Sequence, residues 1–232
     1  MFEQRYVSEK HLEKVPDWHV EESPWKAKHI EQLLKRHQLS LKTICEVGCG
    51  FGEVLRLVQK DMSEECEFWG YEISPVALEQ AEKRANSRLH FTLADFTKES
   101  TISFDLLLVL DVIEHVENYL GFLQEIRPKG QYKILQVPLE LSVQTVLRRQ
   151  ALLKQRDSMG HLHYFTKETF LRVLEDCGYE ILDHVYTSSS LELPTHVLTT
   201  KLMKAPRRLF YALNRDLAVR VLGGYRLMVL AR

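Results

Sequence analysis

The feature that most constrains the fold of this chain is a regular alternation of short apolar segments with amphipathic ones. Five apolar segments are expected to be strands: residues 43–47, 68–71, 89–93, 104–110 and 132–137. Three segments with apolar residues at helical spacing lie between them: residues 53–60, 75–85 and 116–126. Short, almost wholly apolar strands connected by helices indicate a parallel sheet that is covered on both faces. The pattern therefore predicts a doubly wound α/β domain.

The rest of the chain continues this pattern around two insertions. A helix is expected over residues 167–177, ending before Gly178, and strands are expected over residues 179–186 and 225–230. The amphipathic helix and the two further strands extend the same sheet, so a single domain accounts for the periodic part of the chain.

The two insertions lie at about residues 139–165 and 188–224. The first is expected to contain a helix over residues 142–155, and in the second Pro194 and Pro206 are expected to break helices. Because both insertions follow strands at the edge of the sheet where ligands usually bind, they are interpreted as substrate covers or, alternatively, as packing elements.

Residues 1–39 are expected to form a polar leader and a helix that covers the ligand site, and residues 40–232 the main domain. Ser23-Pro24 opens this helix, since Ser is a favoured N-cap and Pro favours the first turn. Trp18 and Trp25 lie among charged residues there. They are expected either to fix the leader to the domain or to stack on a ligand.

The net charge of the 232-residue chain is −1, which gives the whole molecule no bias toward nucleic acid. Beyond residue 187, however, basic residues predominate. They are Lys201, Lys204, Arg207, Arg208, Arg215, Arg220, Arg226 and Arg232, against Glu192 and Asp216. This local excess favours an anionic partner, or it is a solvated face.

The cysteines and the apolar runs indicate a cytoplasmic protein. Cys45, Cys49, Cys66 and Cys177 form no C-x-x-C pair. Cys45 and Cys49, at the end of the first strand and in the turn after it, are expected to be buried thiols, which fits a reducing compartment. The first residues lack the apolar core of a signal peptide. The longest apolar run, residues 106–110, is too short to span a membrane, so no membrane span is expected.

A glycine-rich turn follows the first predicted strand, in Glu46-Val47-Gly48-Cys49-Gly50-Phe51-Gly52. Because glycine lacks a Cβ and tolerates positive φ, the backbone of such a turn can pass close to a ligand. A glycine turn alone is a weak signal, since tight turns without ligands have the same composition.

Acidic residues at the ends of the next three strands strengthen that signal. Glu72, beside Ile73, ends the second strand, where a carboxylate can accept hydrogen bonds from both hydroxyls of a ribose. Asp95 follows the third strand, where it can accept from an adenine amino group while Phe96 or a neighbour lies against the ring. Asp111 ends the fourth strand. Since the carboxyl ends of parallel strands meet at one edge, these residues predict a nucleoside-binding site.

These residues resemble the class I S-adenosylmethionine (SAM)-dependent methyltransferases. Residues 46–52 are similar to the family's acidic-x-Gly-x-Gly-x-Gly motif, Glu72 to its ribose-binding acid and Asp95 to its adenine-side acid. The segment Asp111-Val112-Ile113-Glu114-His115-Val116 is similar to its fourth motif. The resemblance covers about residues 40–186 well, and the final strand more loosely.

The resemblance implies a Rossmann-like, seven-stranded, mostly parallel sheet with an antiparallel last strand and helical lid insertions. It also implies SAM as cofactor, S-adenosylhomocysteine (SAH) as product, and an enzyme of class EC 2.1.1. The residues expected to bind the cofactor are Glu46, Gly48, Gly50, Gly52, Glu72, Ile73, Asp95, Phe96 and Asp111.

A nicotinamide-binding Rossmann domain is the competing interpretation of the same glycines. Its fingerprint is G-x-G-x-x-G, in which the third glycine comes one position later than Gly52. That interpretation also leaves Asp95 and the pair Glu114-His115 without a role, so SAM is the favoured cofactor.

Methyl transfer requires a base only when the nucleophile starts protonated. His161, in Gly160-His161-Leu162-His163-Tyr164-Phe165-Thr166, is the leading catalytic candidate, followed by His115 with Glu114 beside it. The segment 160–166 also resembles a stretch that closes over the active site in this branch of the family. Alternatively, the histidines cap helices or bond backbone groups.

A divalent metal is a further alternative, although none is favoured. Asp111, Glu114 and His115 have i, i+3, i+4 spacing and would share a face on a helix. With His161 or His163 they would form a mixed oxygen and nitrogen site. Similar arrangements occur in some metal-dependent members of the family that methylate one of two adjacent hydroxyls.

We therefore expect a SAM-dependent enzyme that methylates an oxygen or nitrogen atom of a small molecule such as a sugar or natural product. The oligomeric state is left open. One alternative is methylation of RNA or another macromolecule, with the carboxyl-terminal basic stretch binding phosphates. The other is a SAM-binding subunit without activity of its own.

Overall fold

The computed structural model describes residues 20–193 and 198–232. The leader that contains Trp18, and the expected breaker Pro194, lie outside the described residues. None of the described helices is both long enough and apolar enough to cross a bilayer.

The described residues form one seven-stranded sheet. Its strands are β1 (Thr43–Val47), β2 (Glu67–Glu72), β3 (Leu89–Leu93), β4 (Phe104–Leu110), β5 (Gly130–Leu139), β6 (Ile181–Thr187) and β7 (Tyr225–Ala231). Their order is β3-β2-β1-β4-β5-β7-β6, and β7 is antiparallel to both of its neighbours while β1 to β5 are parallel. The predicted fold is confirmed. The strand order reverses between β1 and β4, where doubly wound sheets bind their ligands.

Ten α-helices flank the sheet in the described part of the chain. They are α1 (Ser23–His37), α2 (Glu53–Val58), α3 (Pro75–Glu82), α4 (Tyr119–Ile126), α5 (Val143–Leu147), α6 (Ala151–Ser158), α7 (Lys167–Asp176), α8 (Ser189–Glu192), α9 (Leu198–Leu213) and α10 (Arg215–Leu222). Local chemistry fixes several starts: Ser74 accepts from the Ala77 amide before α3, and Thr166 accepts from the Thr169 amide before α7.

The core lies on both faces of the sheet, which explains why the central strands are apolar throughout. In β4, Leu107 and Val109 pack into the cluster on one face, and Leu106, Leu108 and Leu110 pack into the cluster on the other. Successive side chains of a strand point to opposite faces, so a strand that is covered on both sides has no position for a solvated residue. The free cysteines Cys45 and Cys49 are buried, as predicted, and so are Cys66 and Cys177.

Two expected helices differ from the structure in extent. The helix expected over 142–155 is two helices, because Arg148 leaves the helical region at ψ 59°. The helix expected over 116–126 begins only at Tyr119, where Asn118 accepts from the Gly121 amide. A 3₁₀ turn, Ile113–His115, precedes it.

The expectation that Pro206 breaks a helix is also wrong, since α9 continues through it. Proline removes the amide that would bond the carbonyl of Leu202, one turn earlier. Leu202 is largely exposed, at 68% of its surface, so water can satisfy that carbonyl. Hydrogen bonds from Arg207 and Arg208 to the body of the protein hold the helix beyond the proline.

Candidate active site

A cavity of about 1120 Å³ opens at the carboxyl edge of the sheet, at the point where the strand order reverses. One end is lined by the glycine turn after β1 and by Glu72 and Asp95; we call it the glycine end. The other is lined by Asp111, Glu140 and His161; we call it the histidine end. Thr145 of α5, Gln155 of α6 and Met159 also line the cavity, as do Glu22, Ser23, Lys26, Ser189 and Arg226.

The glycine turn needs its glycines for backbone conformation and for packing. Gly48, Gly50 and Gly52 have φ of 70°, 53° and 73°. A Cβ on Gly52 would lie 2.4 Å from the ring of Phe91, and positive φ is costly for residues with a side chain. The amide of Gly48 donates to the Tyr71 carbonyl at 2.8 Å, which holds the turn against the end of β2.

Glu72 fixes the same turn from the neighbouring strand. Its carboxylate accepts from the amides of Gly50 at 2.8 Å, Ile73 at 2.8 Å and Ser74 at 2.9 Å. Burial raises its pKa above the ordinary value, while these three backbone hydrogen bonds act in the opposite direction. A carboxylate has about four acceptor positions, so Glu72 keeps acceptor capacity for a ligand hydroxyl.

Glu46 lies buried in β1, two residues before Gly48 of the glycine turn. Burial raises its pKa to about 8, the nearby Lys26 cation lowers it in part, and Glu72 raises it further. Its Oε2 is buried with no hydrogen-bond partner among the described residues. An unpaired buried polar atom beside a cavity is a position that a ligand donor can satisfy.

Asp95, Phe96 and Ile73 surround the far side of the glycine end. Asp95 accepts from the Thr97 amide at 3.0 Å and from the Thr97 hydroxyl at 2.6 Å, and it pairs with Lys98. The ring of Phe96 is buried among Tyr71 and Phe104, so its packing role is plain. The more exposed side chain of Ile73 lines the cavity beside it.

Asp111 stands at the end of β4 in the left-handed region, with φ 56°. Lys26 of α1 pairs with its Oδ2 at 2.8 Å, Arg226 of β7 lies 3.4 Å from its Oδ1, and Gln136 donates to it. Burial acts to raise the pKa of Asp111, but the two cations hold it below the usual range. Aspartate tolerates positive φ better than most residues, and this turn aims its carboxylate at α1 and β7.

His161 and Glu140 form a buried pair at the histidine end. Nδ1 of His161 lies 3.0 Å from Oε2 of Glu140, and both residues are about 8% exposed. A carboxylate on Nδ1 favours the tautomer that keeps the proton there and leaves the lone pair on Nε2. The amide of Leu162 donates to the Glu114 carbonyl at 2.7 Å, which ties the segment 160–166 to the turn after β4.

His115 and Glu114 lie beside this pair. The rings of His115 and His161 meet edge to face at 4.8 Å, and Nδ1 of His115 lies 3.4 Å from the Gly160 carbonyl. Glu114 is buried, its Oε2 has no hydrogen-bond partner among the described residues, and burial raises its pKa well above the ordinary value, with the Asp111 charge adding to the shift.

The structure brings together a different set of possible metal ligands from the set predicted from the sequence. In the described part of the chain, ligand atoms of Glu114, His115 and His161 lie within 4.8 Å of one another. Asp111 does not share a helical face with them, because it ends β4 and pairs with Lys26 and Arg226. His163 is also outside the group, since its Nε2 bonds the Val116 carbonyl at 2.9 Å.

Sequence reasoning missed three residues of the histidine end. Glu140 follows β5 as Asp111 follows β4, so the same strand-end argument would have found it. Arg226 is the single charged residue of β7, and the reversed direction of that strand brings its first residues to the carboxyl edge of the others. Lys26 gave no sequence signal, because only the packing of α1 brings it to Asp111.

The residues of the glycine end fit a SAM molecule. The turn passes its backbone along the cavity, Glu72 retains acceptor capacity, and Glu46 offers an unpaired buried oxygen. Residues 17–184, well over half of the chain, match the protein family described as "Methyltransferase domain". The chain belongs to this family.

Solved structures with the same fold support the cofactor. The plantazolicin methyltransferase BpumL in complex with SAH has a TM-score of 0.66 at 15% identity, covering 100% of this chain and 93% of that chain. The magnesium protoporphyrin IX methyltransferase ChlM from Synechocystis PCC 6803, with bound SAH, has a TM-score of 0.60 at 16% identity, covering 89% and 81%. A SAM-dependent methyltransferase from Thiobacillus denitrificans, also with SAH, has a TM-score of 0.58 at 15% identity, covering 90% of each chain.

A curated relative is similar over a shorter stretch. N-methyltransferase 4 of Papaver somniferum is 35% identical over 96 residues, which is 37% of this chain and only 26% of that protein. Together, the family match and the shared fold identify the chain as a SAM-dependent methyltransferase of the class I fold. The individual roles predicted for its cofactor and catalytic residues stay predictions.

Proposed function

We propose that this methyltransferase transfers the methyl group of SAM to an oxygen or nitrogen atom of a small molecule, with His161 as the base. SAM supplies a methyl carbon that is already activated by its sulfonium. The observation that carries the proposal is the buried His161–Glu140 pair, which lines the same cavity as the glycine turn and Glu72.

The step assigned to the His161–Glu140 pair is removal of the proton from the acceptor. As the acceptor oxygen or nitrogen bonds the methyl carbon, the bond from that carbon to the sulfonium sulfur breaks and SAH leaves, while the acceptor proton passes to the lone pair on Nε2 of His161. Glu140 then stabilises the imidazolium through Nδ1–H. The carboxylate acts by orienting the ring, so Glu140 is a positioning residue.

The partial cover over the site supports a small acceptor. Thr145, Gln155 and Met159 of the first insertion line the cavity, so this segment covers part of it. We accordingly propose that residues 20–39 and the two insertions cover a core domain, while residues 1–19 of the predicted leader lie outside the described part of the chain. Several proteins of similar fold or sequence bear the names of small acceptors or of N-methylation, among them plantazolicin, magnesium protoporphyrin IX and N-methyltransferase 4.

RNA methylation receives less support, because the carboxyl-terminal cations are engaged within the protein. Arg207 donates to the carbonyls of Leu222 and Gly223, Arg208 to that of Leu191, and Arg226 is buried against Glu22 and Asp111. Cations held in this way are poorly placed to follow a phosphate backbone.

The four buried free thiols support the further proposal of a reducing, cytoplasmic compartment.

The acceptor class is tested with methyl-labelled SAM and separate pools of hydroxylated small molecules, small amines, total RNA and denatured protein. We expect label to enter one of the small-molecule pools. Transfer into RNA that falls steeply with added salt would replace this proposal by the macromolecular one. Tight SAH binding without transfer to any pool would indicate the non-catalytic subunit.

The base is tested with His161→Gln against His163→Gln, a matched control two residues away whose ring bonds backbone carbonyls. We expect His161→Gln to lower kcat by about 100-fold to 10,000-fold and to remove the acidic limb of the pH profile, with the KM for SAM unchanged. His163→Gln should keep the profile. Equal losses in both variants would show that His161 is structural.

A metal is the second candidate for the histidine end, favoured by the convergence of Glu114, His115 and His161. These residues would supply one carboxylate and two imidazoles, a set that suits a borderline divalent ion. Metal analysis of the purified protein and dialysis against a chelator distinguish the candidates. Stoichiometric metal that is lost with His115→Gln, together with activity that returns on adding the ion, would assign His161 to a ligand role.

A further inference from the structure

The two insertions expose an unusual amount of apolar surface. Nine of the twelve large apolar side chains that are exposed in the described residues lie in these insertions, so the exposure is concentrated rather than scattered. They are Val143, Val146, Leu147, Leu153, Leu202, Met203, Leu209, Leu213 and Leu217. Monomeric proteins rarely keep contiguous apolar surface in water unless it binds a partner or a membrane.

Helix α9 carries its apolar stripe on the side away from the protein. Leu202, Leu209 and Leu213 are 68%, 64% and 77% exposed, and their spacing, i, i+7 and i+11, puts them on one face with Pro206. An amphipathic helix of a water-soluble domain normally has the opposite orientation, with leucines inward and cations outward.

The inward face of α9 is held by polar contacts instead. Lys204 donates to the Leu193 carbonyl, Arg208 donates to that of Leu191 at 2.9 Å, and Arg207 donates to that of Leu222 at 2.8 Å. Tyr211 also stacks on Tyr225 of β7. The orientation of the helix is therefore fixed by specific bonds, and its leucines are presented to the outside.

The first insertion presents a second apolar face next to the first. Val143, Val146 and Leu147 share one face of α5 and are 52%, 61% and 76% exposed. Helix α5 packs against α10, and Gln144 accepts from Arg207 of α9 at 2.9 Å, so the helices that carry the two apolar faces are neighbours. We call the exposed side of α5, α6, α9 and α10 the lid face.

The charge of the lid face indicates which kind of partner it binds. Arg148, Arg149, Lys154 and Lys201 are exposed on or beside α5, α6 and α9, where Asp157 is the one exposed acid among the described residues. The other cations of α9, Lys204, Arg207 and Arg208, donate instead to carbonyls on its inner side. Two copies placed face to face would bring the exposed cations together. An RNA would pair its phosphates with these cations but would leave the exposed leucines in contact with water. Basic helices with exposed leucines fit the headgroup region of an anionic bilayer, where leucines insert and cations meet lipid phosphates.

We propose that the lid face is a peripheral binding surface for anionic lipid bilayers. Thr145, Gln155 and Met159 line the cavity from the inner side of the same insertion. Docking of the lid face therefore places the cavity cover at the membrane surface. The proposal concerns this surface alone and holds whatever the acceptor is.

The test is co-sedimentation of the full chain with vesicles of phosphatidylcholine alone and with vesicles that contain about 30% phosphatidylserine. We expect binding to the anionic vesicles, weaker binding at high salt, and little binding to the neutral ones. Leu209→Ser/Leu213→Ser should lower the partition coefficient at least about tenfold, because two leucines no longer insert. Lys201→Gln/Arg149→Gln should weaken binding to anionic vesicles by about tenfold or more.

Leu120→Ser is the matched control, since Leu120 is 45% exposed but lies on α4, outside the lid face. It should bind vesicles as the wild type does, and SAH titration of every variant verifies folding. Absence of binding to anionic vesicles would overturn the proposal, as would binding that Leu209→Ser/Leu213→Ser leaves unchanged. A dimer in solution that this double variant dissociates would assign the lid face to a second copy and would also overturn it.

Discussion

The glycine end and the histidine end of the cavity hold their carboxylates by different means. At the glycine end, Glu72 accepts from three backbone amides. One belongs to Gly50 in the turn after β1, and the other two belong to Ile73 and Ser74, directly after β2. At the histidine end, Asp111 and Glu140 are held by side chains from α1, β7 and the segment 160–166.

Because of this difference, the two ends of the cavity are suited to different roles. Backbone amides are fixed by the strands, so the glycine end is preorganised for a constant ligand such as the cofactor. Side chains from covering elements move when those elements move, so the histidine end depends on α1, β7 and the first insertion being in place. Substitutions at the two ends should therefore affect different measurements.

The largest effect on stability is expected from Asp111→Asn. The change leaves Lys26 and Arg226 without their shared anion in a mostly buried setting, which should lower the free energy of unfolding by about 3 kcal/mol. The control is Glu180→Gln, which removes the exposed Glu180–Arg232 pair and should leave the free energy of unfolding almost unchanged. Urea denaturation measures both.

Equal small losses in these two variants would contradict the view that the histidine end is held by side-chain charges. The same Asp111→Asn protein also tests the prediction that Asp111 binds the cofactor. A rise in the Kd of SAH, measured by calorimetry well below the unfolding temperature, would support that role.

A somewhat smaller effect is expected from Glu72→Ala, on cofactor binding. Losing charged hydrogen bonds to the ribose, together with the fixed turn, should weaken SAH binding by about 100-fold. Glu67→Ala, at the opposite end of β2 and far more exposed, is the control and should bind SAH normally. If Glu72→Ala bound SAH as tightly as the wild type, the glycine end would not be the cofactor site.

A change in the slope of stability against pH is expected from Glu46→Gln. Burial raises the pKa of Glu46 to about 8 from an unperturbed 4.5, so the folded state holds a proton that the unfolded chain releases between these values. The free energy of unfolding should therefore fall as pH rises through this window.

Glu46→Gln should flatten that slope, because glutamine binds no proton in either state. Urea titrations across the window, with exposed Glu67→Gln as control, measure the change. An unchanged slope would show that Glu46 is ionised in the folded protein and that Lys26 outweighs its burial.

The sequence by itself determined the sheet and the glycine end, because both depend on local patterns. Strands covered on both faces must be apolar throughout, and a turn with positive φ must contain glycine, so β4 and Gly48–Gly52 could be predicted without tertiary structure. The position of Glu72 at the ligand-binding edge could also be predicted, because Glu72 ends a predicted strand of a parallel sheet.

Only the tertiary structure decided the histidine end and the lid face. Lys26, Arg226 and Asp111 are distant in sequence and meet because α1 and the reversed strand β7 pack at one edge. The direction in which α9 faces depended on which carbonyls its cations reached, as with Arg208 and the Leu191 carbonyl. Helical periodicity shows that a helix has an apolar side, but long-range contacts decide whether that side faces the core or the outside.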